Sequence, residues 1–194
     1  MIVDAVVLLA GAALMLFGRS WAVVCAYVVL AGLATFVSLP ASTSLLAGAL
    51  LMLSAVLKLV IAPLGVWFFV RANPEARDLR PSVGIPLRLL AVIVFALAAR
   101  HAGAIPPLGA YVVLCALGML VVQRSLIAHI LGLLALGAGV SISASELGPG
   151  LPESIELGAT FDVLVVTFIG LAIARAFIVH NPLLDVESLR RLRG

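Results

Sequence analysis

Four residues of this chain are suited to holding a charge or passing a proton: Lys58, Asp162, Glu156 and His129. Asp162 lies in ELGATFDVLVVTF (156–168), and Lys58 lies in VLKLVIAPLGVWFFVR (56–71); both are surrounded by apolar neighbours. Each precedes an arginine by 13 residues, Lys58 before Arg71 and Asp162 before Arg175. On a helix that spacing is about 20 Å. If the arginines mark the edge of an apolar slab about 30 Å thick, both side chains are deep inside it. Insertion scales charge roughly 2.5–3.5 kcal/mol for an ionised residue at such a depth, so these residues face a bundle interior or a wet cavity and mark ion paths. The alternative for each is a packing charge that pairs with a partner and locks helices together. Glu156 opens the last apolar run, where it is either a helix cap, favoured by the positive end of the helix dipole, or the entrance of a proton path. His129 follows Arg124 by five residues, about 7.5 Å along a helix. Its ring either exchanges protons near neutral pH or stays neutral and hydrogen-bonded.

The elements that must position these residues follow from composition. The chain has 194 residues, 64% hydrophobic and 11% charged, with mean hydropathy +1.29. A soluble domain is roughly half apolar and about a quarter charged. Apolar runs of about 20 residues are what a helix needs to cross a bilayer. No period-two alternation of the kind a membrane barrel needs is present. The expected fold is therefore an all-α integral membrane protein of about seven transmembrane helices. The spans are approximately 2–18, 21–39, 44–70, 85–104, 108–123, 126–146 and 157–179. The links GRSW and VVQRSL are short enough to make tight helical hairpins, and Pro40, Pro106–Pro107 and GPGLP (148–152) mark other turns. The N-terminal run lacks a basic n-region and a cleavage motif, so it reads as a first membrane helix and not a removed signal peptide. Cys25 and Cys115 fall within spans with no disulfide or metal spacing and behave as small apolar residues. Asp4 and Glu146 lie near span ends, and Glu153 and Arg100–His101 read as loop charges.

Basic residues give the direction. Arg19, Arg71, Arg77, Arg80, Arg88, Arg124, Arg175, Arg190, Arg191 and Arg193 fall on one set of links, which leaves Arg100 on the other and Lys58 within a span. The positive-inside rule then puts the N-terminus outside and the tail in the cytoplasm of a cell (inner or plasma) membrane protein. The sequence pI near 9.4 thus belongs to topology and gives no reason to expect nucleic acid. The charges also suggest a repeat. Arg19 to Lys58 is 39 residues, Arg124 to Asp162 is 38, and both later intervals are 13. That pattern fits two parallel three-helix units joined by one linking helix, as in some transport proteins. The units are 1–84 with its cytoplasmic loop, the linker 85–107, and 108–194 with its tail. Gly132, Gly137 and Gly139, with Ala135 and Ala138, form a small-residue surface on the sixth span, suited to close approach by a neighbouring subunit or by the seventh span.

The usual marks of catalysis are missing: there is no phosphate loop, no Cys/His metal constellation and no GxSxG elbow. The stretches RSLIAHILGLLALGAG (124–139), ELGATFDVLVVTF (156–168) and VESLRRLRG (186–194), with VLKLVIAPLGVWFFVR (56–71), resemble the E subunit of hydrogenase-4-type complexes. The C-terminal half is similar, more distantly, to the K subunit of respiratory complex I and the C subunit of Mrp-type antiporters. The resemblance implies a non-catalytic member of a membrane arm, sitting beside antiporter-like and anchor subunits in the lipid bilayer. It implies no cofactor in this chain, with the nickel–iron centre and iron–sulfur clusters on partner subunits. Lys58, Glu156 and Asp162 are the positions it carries over to a proton or sodium path. One position departs from the pattern: the family's Glu-Asn-Gly falls on Gly137-Ala138-Gly139, and the alternative acidic position of the K subunit falls on Leu134. Neither supplies a carboxylate, so the path either runs through water or has given way to a scaffold role. Two other functions are compatible with the residues: a subunit of a standalone cation/proton antiporter, and a purely structural assembly subunit.

Overall fold

The computed structural model describes residues 2–37, 45–73, 79, 81–101, 106–147 and 153–180. These are helical almost throughout: α1 (Ile2–Leu16), α2 (Ser20–Val37), α3 (Leu45–Val56), a π-helical turn (Leu57–Ile61), α4 (Ala62–Ala72), α5 (Ile85–His101), α6 (Pro107–Val122), α7 (Leu126–Leu147) and α8 (Glu153–His180). Since α3, the π turn and α4 form one continuous rod, each of the seven apolar runs holds one helical rod. Among the described residues there is no strand; Pro81 and Gln123 form an isolated bridge. Among the described residues, three helical segments are long and apolar enough to cross a membrane: Ser20–Val37, Met52–Ala72 and Leu126–Ser145. Val3–Leu16 and Pro107–Val122 are apolar but shorter.

Two boundaries differ from expectation. Helix α8 begins at Glu153, so Glu153 is helical and Glu156 lies within the first turns instead of opening the helix. In sequence Pro152 precedes α8, and proline beside a helix start is tolerated because its missing N–H costs no helical bond there. Helix α5 runs to His101, so Arg100 and His101 form its last turn and are not loop charges. There the His101 Nδ1 bonds the Leu97 carbonyl at 2.8 Å, and a basic last turn suits the negative end of the helix dipole.

The third rod contains a local irregularity with a chemical cause. Pro63 has no N–H, and its ring would collide with the carbonyl four residues back, that of Leu59. The turn before it widens: the Ala62 N–H donates to the Leu57 carbonyl, five residues back. Lys58 lies inside this widened turn and is buried. Single π turns of this sort are frequent at functional sites.

The tight links meet at one end of the bundle. After α1, the Phe17 N–H closes on the Ala13 carbonyl at 3.1 Å and the chain turns through Gly18 and Arg19. After α6, Gln123 is extended (φ −90°, ψ 137°) and the chain turns through Arg124. The segment between α4 and α5 joins both turns. The Leu79 N–H donates to the Gly18 carbonyl at 2.8 Å, and the Ser82 N–H and Oγ donate to the Val122 carbonyl at 2.8 and 2.7 Å. Arg88, in the first turn of α5, is buried, and its guanidinium donates to the Met15 and Leu16 carbonyls at 3.1 Å each. Those carbonyls are in the last turn of α1, where no intrahelical donor remains and positive charge is favoured. Arg88 is thus a helix cap as well as a basic residue of this end.

Packing pairs corresponding helices: α1 lies on α6, α2 on α7, and the third rod on α8, with α5 against α1 and α6. The α6–α7 contact is the closest. A Cβ on Gly139 would stand 2.9 Å from the Val113 backbone nitrogen, and one on Gly132 would stand 2.8 Å from Leu120 Cδ2. The small-residue surface of α7 therefore divides. Gly132 and Gly139 pack against α6, the fifth span, and not against the seventh. Tyr111 ties α6 to α1 by donating its hydroxyl to the Leu8 carbonyl at 3.0 Å. The outer surface is apolar, with Leu9, Trp21, Leu90, Val94, Val121 and Phe168 all exposed.

Candidate functional site

Lys58 and Asp162, 104 residues apart in sequence, line the same cavity. Its volume is about 520 Å³. The walls come from the π turn, from α7 and from α8. On α7 the lining residues Leu134, Gly137, Ser141 and Ala144 follow helical spacing and so share a face. On α8, Gly158, Asp162 and Val166 recur every fourth residue and do the same.

Two missing side chains help to make the space. A Cβ built on Gly137 or on Gly158 meets nothing within 4 Å. Lys58 forms the closed end and is only 7% exposed. The other side is open, because Asp162 and Gly158 are exposed and Leu133 and Val140 are 46% and 48% exposed. The cavity is therefore a cleft with the buried Lys58 in its wall and the exposed Asp162 at its rim. Ser141 adds a hydroxyl to the wall, but that proton is already donated to the Gly137 carbonyl at 3.0 Å. Buried serines on helices commonly bond back in this way.

Both positions at which the resemblance would place a carboxylate on this helix, Leu134 and Gly137, belong to the wall. An acid at either would face the same space as Lys58 and Asp162. Opposite charges across such a cleft can hold a hydrated cation or relay a proton, provided that water enters; the volume is many times the roughly 30 Å³ that one liquid water occupies.

His129 lies apart from this wall. It is half-buried, and its Nδ1 bonds the Ser125 carbonyl at 2.9 Å. A carbonyl only accepts, so that nitrogen carries the proton, and the contact is one within a single helix turn. The side chain of Glu156 lies outside the described residues; its backbone belongs to α8. Of the four residues, the structure brings together Lys58 and Asp162.

Ser141 and Gly158 escaped the sequence reading. Ser141 could have been found from its position one helical turn past Gly137, as a hydroxyl in an otherwise apolar run. Gly158 gives no such sign, because a glycine in an apolar run is equally a packing contact. Among the described residues no three His, Cys, Asp or Glu side chains gather as metal ligands. No family model matches this chain, and neither a curated protein nor a solved structure matches it.

Proposed function

We propose that this chain is a non-catalytic membrane-arm subunit of a hydrogenase- or complex I-like redox complex, contributing to a proton or sodium path and packing between antiporter-like subunits. In this reading all seven rods cross a cell membrane, with the N-terminus outside and the tail in the cytoplasm. One observation carries it: a buried lysine, Lys58, and an exposed aspartate, Asp162, line one cleft in a largely apolar bundle. Retaining ionisable groups at such a depth is costly, and the groups that persist there usually move or bind charge. Two further observations support membrane placement and direction. Exposed leucine, phenylalanine and valine cover the outside, a surface that water disfavours and lipid accepts. The links bearing Arg19 and Arg124 are joined through Leu79 and Ser82, which gathers basic residues at one end.

A scaffold role without translocation is favoured by the absence of a carboxylate at Leu134 and Gly137. The complex itself is tested by purifying the tagged chain from its native membrane. The reading expects antiporter-like subunits together with nickel and iron, contributed by the partners. Antiporter-like subunits without nickel or iron would instead make it part of a standalone cation/proton antiporter. If the chain purifies alone, the reading fails.

A further inference from the structure

We infer that the open side of the Lys58–Asp162 cleft is the docking face for a transmembrane helix of another protein, and that this helix carries a basic residue at the height of Asp162. The inference rests on the membrane placement proposed above and not on ion movement.

Most of the outer surface asks for no partner. Exposed Phe161, Phe168 and Ile169 on α8 are as well placed against lipid tails as against protein. Asp162 is different, because it is an exposed carboxylate among these apolar residues. Without a compensating donor or cation, a carboxylate in hydrocarbon is strongly disfavoured. A headgroup on the cytoplasmic side does not reach it, since Asp162 is 13 residues, about 20 Å, from Arg175; toward the other end, the start of α8 at Glu153 is 9 residues, about 14 Å, away. Nor does a second copy of the chain complement it. A two-fold contact on this face would bring like carboxylates together, and Lys58, the basic residue of this cleft, is buried at its closed end.

The shape of the rim suits a long basic side chain. Open space at Gly137 and Gly158 leaves room for a stem to pass between α7 and α8. Lysine and arginine stems are apolar along their length and match a wall made largely of leucine and valine. The charged tip would then meet the carboxylate out of water, where the pairing matters most.

The test uses the full chain, fused at its N-terminus to a fluorescent donor and reconstituted in lipid vesicles. Synthetic polyleucine helices of about 20 residues, each with one central Lys, Glu or Leu and an acceptor dye, serve as probes of energy transfer. The Lys helix should associate about tenfold more strongly than the Leu helix, in line with measured polar contacts between membrane helices. Asp162→Lys should reverse the order, so that the Glu helix binds best; this reversal keeps the test informative if the variant is less stable. Equal binding of the Lys and Leu helices would overturn the inference. So would a Lys preference that survives Asp162→Asn, or self-association of the wild-type chain that Asp162→Lys abolishes. None of these results depends on ion flux, so this inference and the ion-path reading can fail separately.

Discussion

Gly137 and Gly139 stand two residues apart on α7 and have opposite roles. Gly139 sits where any Cβ would press on the α6 backbone, whereas Gly137 faces the open cleft. Gly139→Ala should therefore force α6 and α7 apart and cost about 1–3 kcal/mol, as overpacking does. Gly137→Ala should leave stability unchanged or slightly raised. Unfolding titrations of both variants in detergent check this, and equal losses would contradict it. A second residue-scale prediction concerns Arg88. Arg88→Met strands the Met15 and Leu16 carbonyls, at a cost of about 1–3 kcal/mol for buried unsatisfied groups. The exposed Arg175, changed to Met, should shift the same titration by less than about 0.5 kcal/mol.

At the scale of the helix, the widened turn ahead of Pro63 decides where Lys58 points. A π turn holds an extra residue, so removing it rotates everything upstream by about 100°. Pro63→Ala restores the donor that the α-helix lacks and removes the ring that prevents it from closing. The variant should relax toward a regular helix and swing Lys58 away from the cleft. Bifunctional thiol cross-linking between Lys58→Cys and Asp162→Cys, with Cys25 and Cys115 replaced by alanine, would report it. Cross-linking should be efficient with Pro63 present and fall severalfold with alanine there; an unchanged yield would assign the turn to some other cause. Much of this scale is legible in the sequence. The third rod, expected over 44–70, is found over 45–72, and the sixth, expected over 126–146, is found over 126–147. Apolar runs bounded by arginine, proline and glycine determine length. What hydropathy lacks is azimuth, because a helix apolar on all sides does not say which face meets which neighbour. For that reason the heights of Lys58 and Asp162 can be read from their arginines, but not their shared cleft. The same gap lets Gly132 and Gly139 be assigned to the wrong partner helix.

Across the whole molecule, helices pair in matching order: α1 with α6, α2 with α7, and the third rod with α8. This is the arrangement that a parallel duplication joined by α5 would give, and it brings the third helices, with their ionisable residues, to a common wall. The same arrangement gathers the basic links at one end, bound through Leu79 and Ser82. Arg19→Cys and Arg124→Cys should therefore react with an impermeant thiol reagent from the same side of sealed vesicles, and Pro106→Cys from the opposite side. Labelling of Arg19→Cys and Arg124→Cys from different faces would break the topology. Sequence spacing reveals the matched intervals, yet side-chain identity between the two halves is too low for the pairing to be read without coordinates.

The most direct measurement of the central claim is ion translocation by the intact complex in sealed proteoliposomes, with Asp162→Asn compared with wild type at matched assembly. If the cleft carries charge, the variant complex purifies with all its subunits while proton or sodium flux falls at least tenfold. Undiminished flux in a fully assembled Asp162→Asn complex would make the carboxylate a packing group and contradict the account.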